Sequence, residues 1–187
     1  MYLLPPWVPG AVMGVSETVL ARIRRPGSSA KVVDRSSYLL LNIVIWACVG
    51  LSIAALFTFG FARIPHARMY YPAGIALFVV GVSLRWWSIL VLGRFFTVKV
   101  SILPGHRIIE RGPYRYLRHP SYTGALIAIL GIGICMGNWI SIAVLIVPSV
   151  AAMGHRITIE EQALVENFGD EYREYSVRTW RLVPFVY

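Results

Sequence analysis

The chain has 187 residues, 57% hydrophobic and 14% charged, with a mean hydropathy of +0.62. Charge this sparse cannot coat a water-soluble surface of that size, so the composition points to a bilayer as solvent. The formal charge of +9 does not imply nucleic acid, because the basic residues fall between long apolar runs and not over one polar face.

A crossing helix needs about 20 mostly apolar residues, because each adds about 1.5 Å against a hydrocarbon core of about 30 Å. The opening stretch, Tyr2 to Ala21, is apolar but holds Pro5, Pro6, Pro9 and Glu17, which fits either a first span or an interfacial helix. It lacks a basic n-region followed by a small-residue cleavage site, so no removed signal peptide is expected. Tyr38 to Ala62 has no charged residue, and Tyr71 to Leu92 has one, Arg85. Arg85 lies within about two turns of the end of its span, so it is expected to snorkel to the interface, with a buried functional charge as the alternative. Ser121 to Met153 is uncharged and long enough for two passes, and Met136-Gly137-Asn138 breaks it into a tight helical hairpin. Cys48 and Cys135 lie inside apolar runs, where a thiol is a small hydrophobe; neither a disulfide nor a metal site is indicated.

Short cytoplasmic loops keep Lys and Arg, and the basic residues are one-sided. The loop after the first stretch carries Arg22, Arg24, Arg25, Lys31 and Arg35; that after the third carries Arg94, Lys99, Arg107, Arg111, Arg115 and Arg118; the tail carries Arg156, Arg173, Arg178 and Arg181. Only Arg63 and Arg68 fall on the other side. The expectation is an all-α integral membrane protein of about five transmembrane helices with a C-terminal hairpin, N-terminus outside, and the Arg-rich segments cytoplasmic. No repeat appears, so residues 1–187 read as one domain, with N-terminal spans over 1–93 and a polar-segment half over 94–187.

Two polar clusters could carry chemistry. Between Leu92 and Ser121, Pro104, Gly105, Gly112, Pro113 and Pro120 pin turns around His106, Tyr114, Arg118, His119 and Tyr122. Such rings and exposed backbone suit an adenine and a ribose, but they equally suit an aromatic and basic interfacial belt with no ligand. After the hairpin, Arg156 and Glu160 share a helix face at i, i+4, while Glu161 points about 100° away. They form either one surface ion pair or, on a helix leaving the bilayer, a carboxylate for a ligand ammonium and a guanidinium for a carboxylate. Phe168-Gly169 reads as a helix stop, with an amphipathic restart at Asp170 to Tyr175.

At these residues the chain resembles the isoprenylcysteine carboxyl methyltransferase family and its membrane-methyltransferase relatives. The stretches that carry the resemblance are HRIIERGPYRYLRHPSYTG, the hairpin with Asn138, RITIEEQALVENFGDEYREY and the terminal RLVP, covering Leu92 to Pro184. The order G-x-Y-x-x-x-R-H-P-x-Y, apolar hairpin, R-x-x-x-E-E, F-G-x-x-Y is specific, although R-H-P-x-Y alone is shared with membrane sterol reductases. The resemblance implies S-adenosyl-L-methionine (SAM) as cofactor. It implies a cofactor set of Lys99, His106, Arg107, Ile108, Ile109, Tyr114, His119, Pro120, Ser121, Tyr122 and Glu160. Lys99 falls where eukaryotic members have glutamine. Glu160 matches the acid that holds the cofactor and Arg156 the arginine assigned to the acceptor, and no metal is implied.

The expected activity is methyl transfer to a lipophilic acceptor from the bilayer, foremost the carboxylate of an isoprenylcysteine-like or prenylated substrate. The site is expected on the cytoplasmic side, with a bacterial inner membrane favoured over endoplasmic reticulum by the excess of arginine over lysine. Partners are membrane lipids and the acceptor, not nucleic acid. An NADPH-dependent sterol-type reductase and a non-catalytic lipid-binding protein stay open as alternatives.

Overall fold

The computed structural model describes residues 5, 7–23, 31–34, 36–98 and 100–185. Six helices dominate: α1 (Val8–Ile23), α2 (Ser36–Thr58), α3 (Ala67–Leu92), α4 (Pro120–Met136), α5 (Trp139–Phe168) and α6 (Asp170–Arg178). Among the described residues, three helical segments are long and apolar enough to cross a bilayer: Ser36–Thr58, Ala67–Phe95 and Trp139–Phe168. α4 is a shorter apolar helix of 17 residues and α1 has 16. A helical integral membrane protein with a C-terminal hairpin is therefore as expected; of the about five transmembrane helices expected, three are long and apolar enough to cross and α4 is a shorter apolar helix. One addition to the all-helical expectation is a short antiparallel ribbon of β1 (Lys31–Asp34) and β2 (Val100–Ile102), which ties together the two Arg-rich connecting segments.

α3 and α4 make the most extensive helix pair, followed by α2 with α5 and α4 with α5. Hydrocarbon gives helices no hydrophobic reason to associate, so close packing must supply the attraction. Gly74 and Gly81 on α3, and Gly124 and Gly131 on α4, supply it. Each pair is seven residues apart and lies on one face of its helix. A Cβ on Gly81 would lie 2.4 Å from the Ala128 nitrogen, and one on Gly131 2.6 Å from the Gly74 oxygen, so the two backbones touch. Between α2 and α5, the Ser141 hydroxyl donates to the Ser52 carbonyl at 2.8 Å, while the Ser52 hydroxyl, which donates to the Cys48 carbonyl at 2.6 Å, lies 3.1 Å from the Ser141 carbonyl.

The hairpin turn forms where Gly and Asn are placed. Gly137 ends α4 at φ 64°, and Asn138 begins α5, its Oδ1 accepting from the Ser141 N–H at 3.1 Å while its Nδ2 donates to the Phe59 carbonyl at 3.0 Å. α5 does not stop at the end of the apolar run. It continues as one helix to Phe168, where Gly169 at φ 56° separates it from α6, so Arg156 and Glu160 stand on the polar C-terminal extension of a spanning helix.

Candidate active site

The hydroxyl of Tyr122, in the first turn of α4, joins the two residues that the sequence places on one face of α5. It accepts a hydrogen bond from Arg156 Nε at 2.6 Å and donates one to Glu160 Oε2 at 2.8 Å. Arg156 and Glu160 are thus linked through a phenol and do not form a surface pair. Arg156 is 3% exposed. Its Nη1 donates to Ser37 Oγ at 3.1 Å and its Nη2 to the Val98 carbonyl at 2.7 Å, with the Tyr38 ring 5.8 Å from its Cζ. Three of its five N–H groups are so engaged, and among the described residues two are left for a ligand. Ser37 is held by Asp34, whose Oδ2 accepts the Ser37 N–H at 2.9 Å while Oδ1 accepts the Ser36 N–H at 2.9 Å. The Ser36 and Ser37 hydrogen bonds hold the Asp34 carboxyl well below the usual carboxylate range.

Glu161, one residue on, faces a different set of partners. Its Oε1 lies 2.8 Å from Arg118 Nε and 3.2 Å from His119 Nε2, and its Oε2 lies 2.8 Å from Arg181 Nη2. Arg118 Nη1 also donates to the carbonyls of Ser176 and Thr179, and the backbone N–H groups of Arg118 and His119 donate to Trp180 and Arg181. The R-H-P corner and residues 176–182 are therefore stitched together around one carboxylate. Sequence spacing missed this hub, because the partners of Glu161 lie 43, 42 and 20 residues away. The doublet Glu160-Glu161 was its one visible sign.

A single cleft is lined by His106, Arg107, Ile108, Ile109, Tyr114, His119, Ser121, Tyr122, Arg156 and Glu160. Of the other residues expected there, Pro120 is buried in the first turn of α4 outside the lining, and Lys99 lies outside the described residues. At the polar end the His106 ring stacks on Phe95 at 4.8 Å and meets Phe168 edge-on at 5.4 Å. Burial lowers the His106 pKa, with Glu160 opposing, so the ring is neutral near pH 7; burial raises that of Tyr172, so its phenol keeps its proton. Among the described residues, His106 Nδ1 and Tyr172 Oη are buried without a hydrogen-bond partner, both in residues lining this cleft. The cleft continues between α1, α2, α4 and α5 along Met13, Leu41, Ile45, Ile129, Ile132 and Leu145, which are apolar.

Arg85 also lines the cleft, and the expectation that it snorkels to the interface is corrected. Its Nε and Nη2 each lie 2.7 Å from a different oxygen of Glu17 on α1, and its Nη1 donates to Ser121 Oγ at 3.0 Å. With an acid on the neighbouring helix, pairing inside the protein replaces hydration at the interface. Trp86 Nε1 donates to Ser16 Oγ at 2.9 Å, so Ser16 and Glu17 dock α1 against α3.

Fold and site together define an all-helical integral membrane protein whose cleft is polar and aromatic at one end and apolar along its other arm. Residues 74–166 match the model of the isoprenylcysteine carboxyl methyltransferase (ICMT) family. Protein-S-isoprenylcysteine O-methyltransferase B of Arabidopsis thaliana is 36% identical over 115 residues, which cover 60% of this chain and 58% of that protein. Protein-S-isoprenylcysteine O-methyltransferase of Schizosaccharomyces pombe is 30% identical over 120 residues, covering 63% of this chain and 51% of that protein. The matched stretches thus span a little over half the length of these relatives. The structure of the eukaryotic intramembrane Ras methyltransferase ICMT matches with a TM-score of 0.63 at 22% identity, over 98% of this chain and 69% of that one, and so shares the fold.

Proposed function

We propose that the chain is a SAM-dependent carboxyl methyltransferase acting on a lipophilic acceptor of the isoprenylcysteine type, with the cofactor entering from the cytoplasm. The observation that carries this reading is the continuity of one cleft from the unpartnered polar atoms of His106 and Tyr172, past Glu160 and Arg156, into an apolar arm between α1, α2, α4 and α5. A donor that is aromatic, hydroxylated and cationic suits the first end, and a lipid suits the second. Residues of both 1–93 and 94–187 line the cleft, which supports reading them as one unit.

The neutral ring of His106 and the protonated phenol of Tyr172 offer hydrogen bonds to the nucleoside part. Glu160 Oε1, without a partner among the described residues, would pair with the ammonium of the methionine part. When bound, the cofactor supplies a methyl group already activated on a sulfonium. The protein's task is then to align an in-line displacement and to exclude water. Arg156 does the first for the acceptor: its two remaining N–H groups orient a carboxylate, while Tyr122, Ser37 and the Val98 carbonyl keep the guanidinium from turning. A carboxylate acceptor is already anionic, so methyl transfer to it would give an ester and leave the cofactor's sulfur as a neutral thioether, and no residue of this chain would need to act as a base.

The test is calorimetric binding of SAM and S-adenosylhomocysteine to detergent-purified protein, NADPH alongside, followed by transfer of labelled methyl from SAM to S-farnesylcysteine. Binding of both adenosyl compounds, weakened at least tenfold in Glu160→Gln, with transfer lost in Arg156→Ala, is expected. NADPH binding without SAM binding would overturn the reading in favour of a reductase.

A further inference from the structure

Among the described residues, the buried serines are engaged in hydrogen bonds or other contacts with one exception. Ser52 and Ser88 donate to the carbonyls of Cys48 and Leu84 one turn back, Ser141 donates to Ser52, and Ser37 and Ser121 accept from arginines. Back-bonding of this kind is the ordinary recourse of a hydroxyl on an apolar helix. Ser149 of α5, 1% exposed, is the exception: its Oγ has no hydrogen-bond partner among the described residues. It lines the apolar arm of the cleft, one turn from Leu145 on one side and from Met153 on the other. A water there would need two or more polar partners, and Leu41, Ile45 and Ile129, which line the same apolar arm, supply none.

Ser149 precedes Arg156 by seven residues, which is two turns less about 20°, so both face the same way, separated by about 10 Å along the helix. We infer that Ser149 is a hydrogen-bonding subsite for an oxygen atom carried in the acceptor's lipid tail, about 10 Å from the carboxylate held at Arg156. The inference rests on the reading of a lipophilic carboxylate acceptor proposed above and extends it beyond prenyl tails: among such carboxylates, one bearing a keto or ether oxygen partway along its tail is preferred to one of equal length without it. A hydroxyl that donates to such an oxygen favours it over a methylene by about tenfold, because the empty alternative leaves the donor buried and unpaired.

The test uses the full protein in lipid nanodiscs and two single-chain carboxylates of equal length, one all-alkyl and one with a keto group about 10 Å from the carboxylate. Wild-type protein is expected to bind the keto compound about tenfold more tightly by calorimetry. Ser149→Ala should bring the two affinities together by weakening the keto compound alone, whereas Ser141→Ala, which cuts the tie to Ser52, should lower thermal stability and leave the ratio intact. Equal affinities in the wild type, a ratio unchanged in Ser149→Ala, or no binding of either compound would overturn the inference. Methyl transfer is assayed in parallel: a keto preference in binding with no transfer would refute the methyltransferase reading while leaving the subsite standing.

Discussion

Glu160 and Glu161 are adjacent on α5, yet Glu160 takes a single hydrogen bond, from Tyr122, whereas Glu161 is ringed by Arg118, His119 and Arg181. The 100° that separates neighbours on a helix sends one carboxylate into the cleft and the other into the seam with the C-terminal segment.

This division makes the two glutamates separable by mutation. Glu160→Gln is expected to leave the thermal midpoint within a few degrees of wild type and to weaken SAM binding at least tenfold. Glu161→Gln is expected to cost about 3 kcal/mol, since it leaves two arginines facing a neutral amide in a half-buried site. Thermal unfolding and calorimetric titration of both proteins check the pair.

Tyr122→Phe keeps the ring and removes the oxygen that links Arg156 to Glu160. Two hydrogen bonds to charged groups go, and a loss of about 2 kcal/mol in stability follows. Because Arg156 is then free to turn, kcat should fall by more than stability suggests, about 30-fold, with KM for the acceptor rising less. Steady-state kinetics over a range of acceptor concentrations measures both.

Gly81→Ala places a methyl group 2.4 Å from the Ala128 nitrogen, where only backbone can give way. The α3–α4 pair must separate, at a cost of about 3 kcal/mol. Gly154→Ala is the control: nothing lies within 4 Å of its Cβ, and the gain in helix propensity should leave the protein as stable or more so. Differential scanning fluorimetry of the two variants decides.

The pH dependence follows from His106, whose folded pKa lies below its ordinary 6.5 because burial disfavours the imidazolium. The unfolded chain therefore binds the proton first as pH falls, so stability is complete above about 6.5 and declines below it. His106→Gln should flatten this part of the curve, leaving the steeper loss at lower pH where Asp34 is protonated. Thermal midpoints of both proteins between pH 8 and 5 test the sign.

The apolar helices and the hairpin turn were legible in the sequence because long uncharged runs, and a Gly-Asn pair between two of them, have few alternatives in a bilayer. The shared face of Arg156 and Glu160 was legible for the same local reason. What spacing could not give was the partner of each polar residue. Arg85 read as a snorkelling residue because Glu17 stands 68 positions earlier, on a helix the sequence left between span and interface. The heptad glycines of α3 and α4 were visible as letters, but a contact face has meaning only once its opposite is known. The β1–β2 ribbon, of four and three residues, is too short to declare itself.

The seam between the R-H-P corner and residues 176–182 imposes an order of events on the nascent chain. α4 can enter the membrane as soon as it is made, but the Arg118 side chain and the N–H groups of Arg118 and His119 must wait for Ser176, Thr179, Trp180 and Arg181, about 60 residues later. Until those residues emerge, Glu161 has no Arg181 and the corner no backbone partners. Insertion and the acquisition of a finished polar face are thus separate steps in time, and the second belongs to the last residues synthesised in this seam.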